Sequence, residues 1–171
     1  SFAFSIRDSD TNFCRHATGT SNDWLVVTNF GFSIPTNVII EGVAVTRVGY
    51  GVGGGAAQRE YQIALTEDGY YIAGAIKQGN ALPKDIQDTN TLGNAGDLWG
   101  NERTPDAINS PSFGVMIADN DDGTQEICFN QILITVYFDR LPSVRNEPGV
   151  SEISTDSATF NGTVASTGQA P

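Results

Sequence analysis

The chain has 171 residues, room for one full domain and a fragment of a second. Lys and Arg total 9 against 20 Asp and Glu, a net charge of −11. That balance argues against a nucleic-acid surface, which must neutralise phosphates, and against an anionic membrane surface. Nor is there an apolar run of about 18 residues, so no membrane insertion is expected.

Apolar residues make up 39% of the chain, on the low side but enough for a sandwich core. The lysines are Lys77 and Lys84, while Ser, Thr, Asn and Gly abound. This composition suits an extracellular, cell-surface or virion protein. No signal peptide is visible. The chain opens on Ser1-Phe2-Ala3-Phe4, already strand-like, as a processed chain would.

Helical periodicity is nearly absent, and short apolar bursts are punctuated by Gly, Pro, Asn and Asp. Phe2–Ile6 reads as an edge strand, residues 8–23 as a polar loop and Trp24–Val27 as a strand. Phe30 to Pro35 turns the chain, since Pro35 cannot donate to a central ladder. Val38–Val48 is the clearest strand, with Val43, Val45 and Arg47 alternating with Ala44, Thr46 and Val48. Gly42 inside it suggests a bulge or bend.

Gly49 to Gly55 lacks the Lys and Ser/Thr of a phosphate loop and precedes no helix, so it reads as a hairpin loop. Glu60–Thr66 is the next strand. Glu67-Asp68-Gly69 turns it, and Tyr70–Ile76 returns, making a three-stranded meander. Residues 77–111 form a long connection anchored by Leu82, Leu92, Leu98 and Trp99. Within it Thr104-Pro105 starts one helical turn, as N-cap and first helical residue. Phe113–Ile117 and Cys128–Phe138 are expected to pair across an acidic turn at 119–123.

From these elements the expected fold is all-β, a jelly-roll-type sandwich over residues 1–139. A linker follows at 140–149, then two short strands within 150–171. Cys14 and Cys128 lie near the first and last strands of the sandwich and are the disulfide candidate. A bridge would close a loop of roughly 100 residues, worth about 4–5 kcal/mol in the chain-entropy model. The alternative is two buried thiols packed as small apolar side chains.

Two resemblances add to this. Phe30-Gly-Phe-Ser-Ile-Pro35, Ile40-Glu-Gly-Val-Ala-Val45, Leu98-Trp-Gly100, Pro111-Ser-Phe-Gly-Val115 and Ile132-Leu-Ile-Thr-Val-Tyr137 are similar, in order and spacing, to an uncharacterised β-sandwich module. Such modules recur in phage virion proteins and large bacterial surface proteins. The resemblance brings no catalytic residues. Ser157-Ala-Thr-Phe-Asn-Gly-Thr-Val164 resembles the opening strands of bacterial fibronectin type III-like repeats, a partial Ig/fibronectin-like pair. A lone strand pair is marginal in water, so it would lie on the main domain, stay disordered or complete a neighbour's sheet.

Chemistry is sparse. His16 has no nucleophile-elbow context around it. Asp97, Glu102 and Asp106 cluster in sequence beside Trp99, but clustering does not supply the carboxyl separation glycoside hydrolysis needs. No catalytic residues are assigned and no enzyme is expected. Asp119, Asp121 and Asp122 are possible calcium ligands, although an EF-hand register fails because Ala118 would stand first. Calcium is thus a possible cofactor, and no other is expected. Asn161-Gly162-Thr163 fits a glycosylation sequon but more simply opens a turn.

The expected function is a non-enzymatic extracellular structural subunit, a surface filament or phage virion component. It would form a homo-oligomer or polymer through sheet edges. Phe2, Phe4, Ile6, Val150, Ile153, Phe160 and Val164 would be the contacts, because edge strands carry unpaired N–H and C=O groups. The alternative is a carbohydrate-binding adhesin module contacting a glycan through Trp99, Tyr70 or Tyr71.

Overall fold

The computed structural model describes the backbone at residues 2–7, 14–16, 24–53, 61–119, 125–140, 143–145, 150–151, 159–160 and 163–166. It describes side chains at 24–52, 61–118 and 128–140. The first sheet contains β1 (Phe2–Arg7), β2 (Cys14–His16), β4 (Val38–Gly53), β7 (Asp88–Gly93) and β9 (Gln125–Arg140). The second contains β3 (Leu25–Thr28), β5 (Tyr61–Thr66), β6 (Lys77–Gln78) and β8 (Gly114–Asp119). Their orders are β1-β9-β4-β7, with β2 also on β9, and β3-β8-β5-β6. All the strand pairs are antiparallel. The chain changes sheet at every connection from β1 to β9 except β1 to β2 and β5 to β6. This is the interleaved order of a two-sheet jelly roll, so the expected fold class holds.

Alternation builds the core. On β4, Val38 and Ile40 are buried before the register shift and Val43 and Val45 after it. The shift between Ile40 and Gly42 is the expected bulge, and its extra residue keeps both apolar pairs on one face. Gly42 is required there, because a Cβ would lie 2.3 Å from the Asn94 carbonyl oxygen. On β9, Ile132, Ile134 and Val136 are buried and the intervening residues half-buried. They meet Ile63, Leu65, Val115 and Ile117 of the other sheet in one cluster. Each such side chain, fully buried, contributes about 1.5–3 kcal/mol.

The connectivity corrects three expectations. β4 and β5 lie in different sheets, so the Gly-rich loop joins sheets instead of closing a hairpin. β8 pairs with β3 and β5, while β9 pairs with β1, β2 and β4; the two are not a hairpin. Residues 70–76 do not return as a strand: only an isolated bridge, Thr66 to Ile72, forms there. Three strands of these sheets were also missed. β2 lies inside the expected polar loop at 8–23, and β6 and β7 inside the long connection.

That connection is well packed. Leu82 and Trp99 are fully buried, and Leu92 and Leu98 pack against the core. Helix α1 (Pro105–Asn109) forms as expected, with the Thr104 hydroxyl accepting from Ala107 N at 3.2 Å and Pro105 in the first turn. Asn109 ties it to Ile34 by a reciprocal pair of bonds, 2.7 and 2.8 Å.

Beyond β9 the described strands are β10 (Ser143–Arg145), β11 (Val150–Ser151), β12 (Thr159–Phe160) and β13 (Thr163–Ser166). β10 pairs with β13 and β11 with β12, both antiparallel. β10 falls in the stretch expected to be a linker. Val150 faces Phe160 and Val144 faces Val164 in register. Ile153 lies outside the described residues, as do the side chains of this segment.

Candidate functional site

The most exposed large aromatic residues described are Tyr70 and Tyr71, at 82% and 77%. They sit on the turn that follows β5, which five hydrogen bonds of its own hold. Asp68 Oδ1 accepts from the backbone N–H of Tyr70 and of Tyr71, each at 2.8 Å, and from the Thr66 hydroxyl at 3.2 Å. Thr66, fully buried, also accepts from Gly69 N at 3.0 Å. An Asp side chain that takes successive backbone N–H groups competes with a ladder, which is why residues 70–76 leave the sheet. Ala73 N donates to Leu65 O at 2.8 Å and closes the turn at its base.

Arg103 braces the turn from beneath. Its side chain is fully buried and donates to Glu67 Oε1 and, at 2.6 Å, to the Ala73 carbonyl. One guanidinium thus holds both ends of the turn. Burial pulls its pKa down while Glu67 pulls it back up; an arginine stays charged in either case. Arg103 Nε is buried without a partner.

Trp99 locks the next segment. Its carbonyl accepts from Ala75 N at 2.7 Å. Gly74 packs so closely on it that a Cβ would fall 2.1 Å from Trp99 O, and its φ of +103° is a second reason for glycine.

The N–H groups of Tyr71 and then Tyr70 hold the Asp68 carboxyl below the usual carboxylate range. The turn therefore presents two aromatic rings beside a persistent negative charge. Glu67 is 40% exposed and adds a second carboxylate. No Lys or Arg occurs between residues 60 and 76.

Trp99 does not join the tyrosines, which corrects the expected glycan contact there. It is fully buried, and its indole N–H donates to Val43 O at 2.8 Å, so no ring face meets solvent. Lys77 lies 5.0 Å over the ring and pairs with Asp97 at 2.6 Å. Asp97 also accepts from Trp99 N at 2.9 Å. Burial pushes the Asp97 carboxyl up, but Lys77 and the Trp99 N–H pull it further down. Asp97 is thus spent on fixing Trp99. Glu102 and Asp106 are exposed, and Asp106 occupies the first turn of α1.

Among the described residues no group of three His, Cys, Asp or Glu could hold a metal. Asp119 ends β8 opposite Tyr61; Asp121 and Asp122 lie outside the described residues. His16 stands in β2 opposite Ile127. Cys14 stands opposite Phe129 and Cys128 opposite Arg15, one register step apart. The Cys14 side chain is not among those described. β1 stands at the edge of its sheet, with Phe2, Phe4 and Ile6 opposite Val136, Ile134 and Ile132.

A second polar cluster was missed from sequence. Arg47, fully buried, donates to the Tyr61 hydroxyl at 2.7 Å, to the Asp88 carbonyl at 2.9 Å and to Asp88 Oδ2 at 2.9 Å. Tyr61 in turn donates to Asn90 Oδ1 at 2.7 Å. Burial pushes the Tyr61 phenol up, more than Arg47 pulls it down. This cluster joins β4, β5 and β7 inside the sandwich. The one signal was the core parity of Arg47 after Val43 and Val45.

No family model and no curated protein matches the sequence. A solved carbohydrate-binding module, CBM35 from Cellvibrio japonicus Abf62, is similar at 14% identity and a TM-score of 0.36, over 79% of this chain and 96% of that one.

Proposed function

We propose that this chain is a non-catalytic carbohydrate-binding module that works outside the cytoplasm, with the turn carrying Tyr70 and Tyr71 as its contact surface. One observation carries the reading: a buried arginine is committed to holding a turn whose exposed product is two adjacent tyrosine rings. Tyr gives rigid, amphipathic contact area at low entropy cost, and bracing the backbone beforehand lowers the cost of binding. Asp97 gives no support to hydrolysis, since it is engaged with Lys77 and Trp99. The test is retention on gels carrying different polysaccharides. Wild type should be retarded on at least one, and the Tyr70→Ala/Tyr71→Ala double variant should run freely there while melting at the wild-type temperature. Equal retardation of both proteins would refute the assignment.

A second reading, a structural subunit of a virion or surface filament, is favoured by the edge position of β1. Pairing of copies through β1 or the strands at 143–166 would give a homo-oligomer or polymer. A Cys14–Cys128 bridge and calcium at Asp119, Asp121 and Asp122 belong to that reading. Light scattering with calcium and with chelator separates the two: a monomer in both conditions removes the structural reading.

A further inference from the structure

We infer that the Tyr70–Tyr71 turn takes sugars bearing an ammonium group in preference to neutral or carboxylate-bearing ones. This rests on the carbohydrate-binding reading above and names its ligand class. The tyrosines follow Glu67 and Asp68 after a single residue, Gly69, and both carboxylates reach solvent. The nearby cations are already committed. Arg103 is fully buried against Glu67, and Lys77 is paired with Asp97 and seated over Trp99. Nothing in residues 60–76 supplies a positive charge, and the whole chain carries −11.

Three ligand classes therefore meet three different surfaces. A uronic acid brings a carboxylate against Asp68 and finds no uncommitted cation among the described residues of the turn, since Arg103 and Glu67 already offset each other. A neutral sugar gains ring contact alone. An ammonium-bearing sugar gains the same contact plus attraction to the ring faces, where a cation is favoured by the aromatic quadrupole, and to the Asp68 carboxylate, which no cation offsets. The N–H bonds from Tyr70 and Tyr71 keep Asp68 ionised in mild acid, where the amine is fully protonated. Salt should weaken the preference, because the charges are solvent-exposed.

The test uses the full chain in titration calorimetry with three oligosaccharides of equal length: glucosamine, N-acetylglucosamine and galacturonic acid. Each is run at low and high salt, for wild type and for Tyr70→Ala/Tyr71→Ala. At two- to fivefold per ring, the glucosamine oligomer should bind wild type about tenfold more tightly than the acetylated one. The galacturonate oligomer should not bind. The double variant has the same net charge and should lose the preference. Unchanged glucosamine binding in that variant would mean attraction to the bulk negative charge and would overturn the inference. So would galacturonate bound as tightly as glucosamine. Binding of the neutral oligomer alone, lost in the variant, would overturn this inference but keep the carbohydrate reading. Failure of wild type to bind any saccharide, here and on the polysaccharide gels, would sink both.

Discussion

Arg103 and Glu67 meet across 36 positions of sequence, the guanidinium fully buried and the carboxylate 40% exposed. The asymmetry decides what each half is worth. If Glu67 is lost, a buried charge keeps only a carbonyl. If Arg103 is lost, the carboxylate can return to water. Glu67→Ala should therefore cost more than Arg103→Met, about 2–4 against about 1–2 kcal/mol. Urea unfolding of the two variants checks the order, and the reverse order would mean that the brace is not what stabilises the turn.

Asp68 links the turn to pH. Its folded pKa is depressed by the Tyr71 and Tyr70 N–H groups. A depressed carboxylate contributes stability that is present above its unfolded value, about 3.9. That contribution fades as pH falls through the lower folded value. The ¹³C titration of the Asp68 carboxyl should have its midpoint below the usual range. Amide exchange at Tyr70 and Tyr71 should quicken in the same acid window. Asp68→Asn should show no such acid dependence at these amides.

Trp99 is a structural residue. Trp99→Ala should lower stability by about 3–5 kcal/mol, as expected for truncating a buried Trp, with the indole bond to Val43 O lost and the backbone carbonyl that accepts from Ala75 N retained. In wild type, acrylamide should quench Trp99 poorly, whereas half-buried Trp24 is open to it. Efficient quenching of both tryptophans would contradict the packing.

The Arg47 cluster separates pairing from burial. Tyr61→Phe removes the hydroxyl that both accepts from Arg47 and donates to Asn90. It should cost about 1–3 kcal/mol, because buried polar groups lose partners. Arg47→Met removes the buried charge and leaves Asp88, 38% exposed on its side chain, to water. It should cost less, since an apolar replacement of a buried ion is often near neutral. Chemical denaturation of both variants compares them.

Much of the fold was legible because alternation marks half-buried strands. β4 announces itself through Val43, Val45 and the Gly42 bulge, β9 through Ile132, Ile134 and Val136. Thr104-Pro105 marked the helix start. Strand partners were less legible, since a jelly roll pairs strands distant in sequence. β7, Asp88–Gly93, has almost no apolar residue to betray it. The apolar run from Tyr70 to Ile76 imitates a strand, yet Asp68 takes its first N–H groups and Gly74 needs a positive φ. Tyr70 and Tyr71 could be named as candidate contacts from the sequence alone. Their support could not, because Arg103 lies 36 positions from Glu67 and 30 from Ala73. Trp99 looked like a stacking ring until its depth was known.

The braced turn is the proposed binding surface. The most direct measurement is amide chemical-shift mapping while a retained oligosaccharide is titrated into the isotope-labelled chain. Shifts concentrated at residues 66–73, with the Tyr70 and Tyr71 ring signals moving alongside, are the expected result. Shifts centred on the β1 edge or another face, with residues 66–73 unmoved, would contradict it.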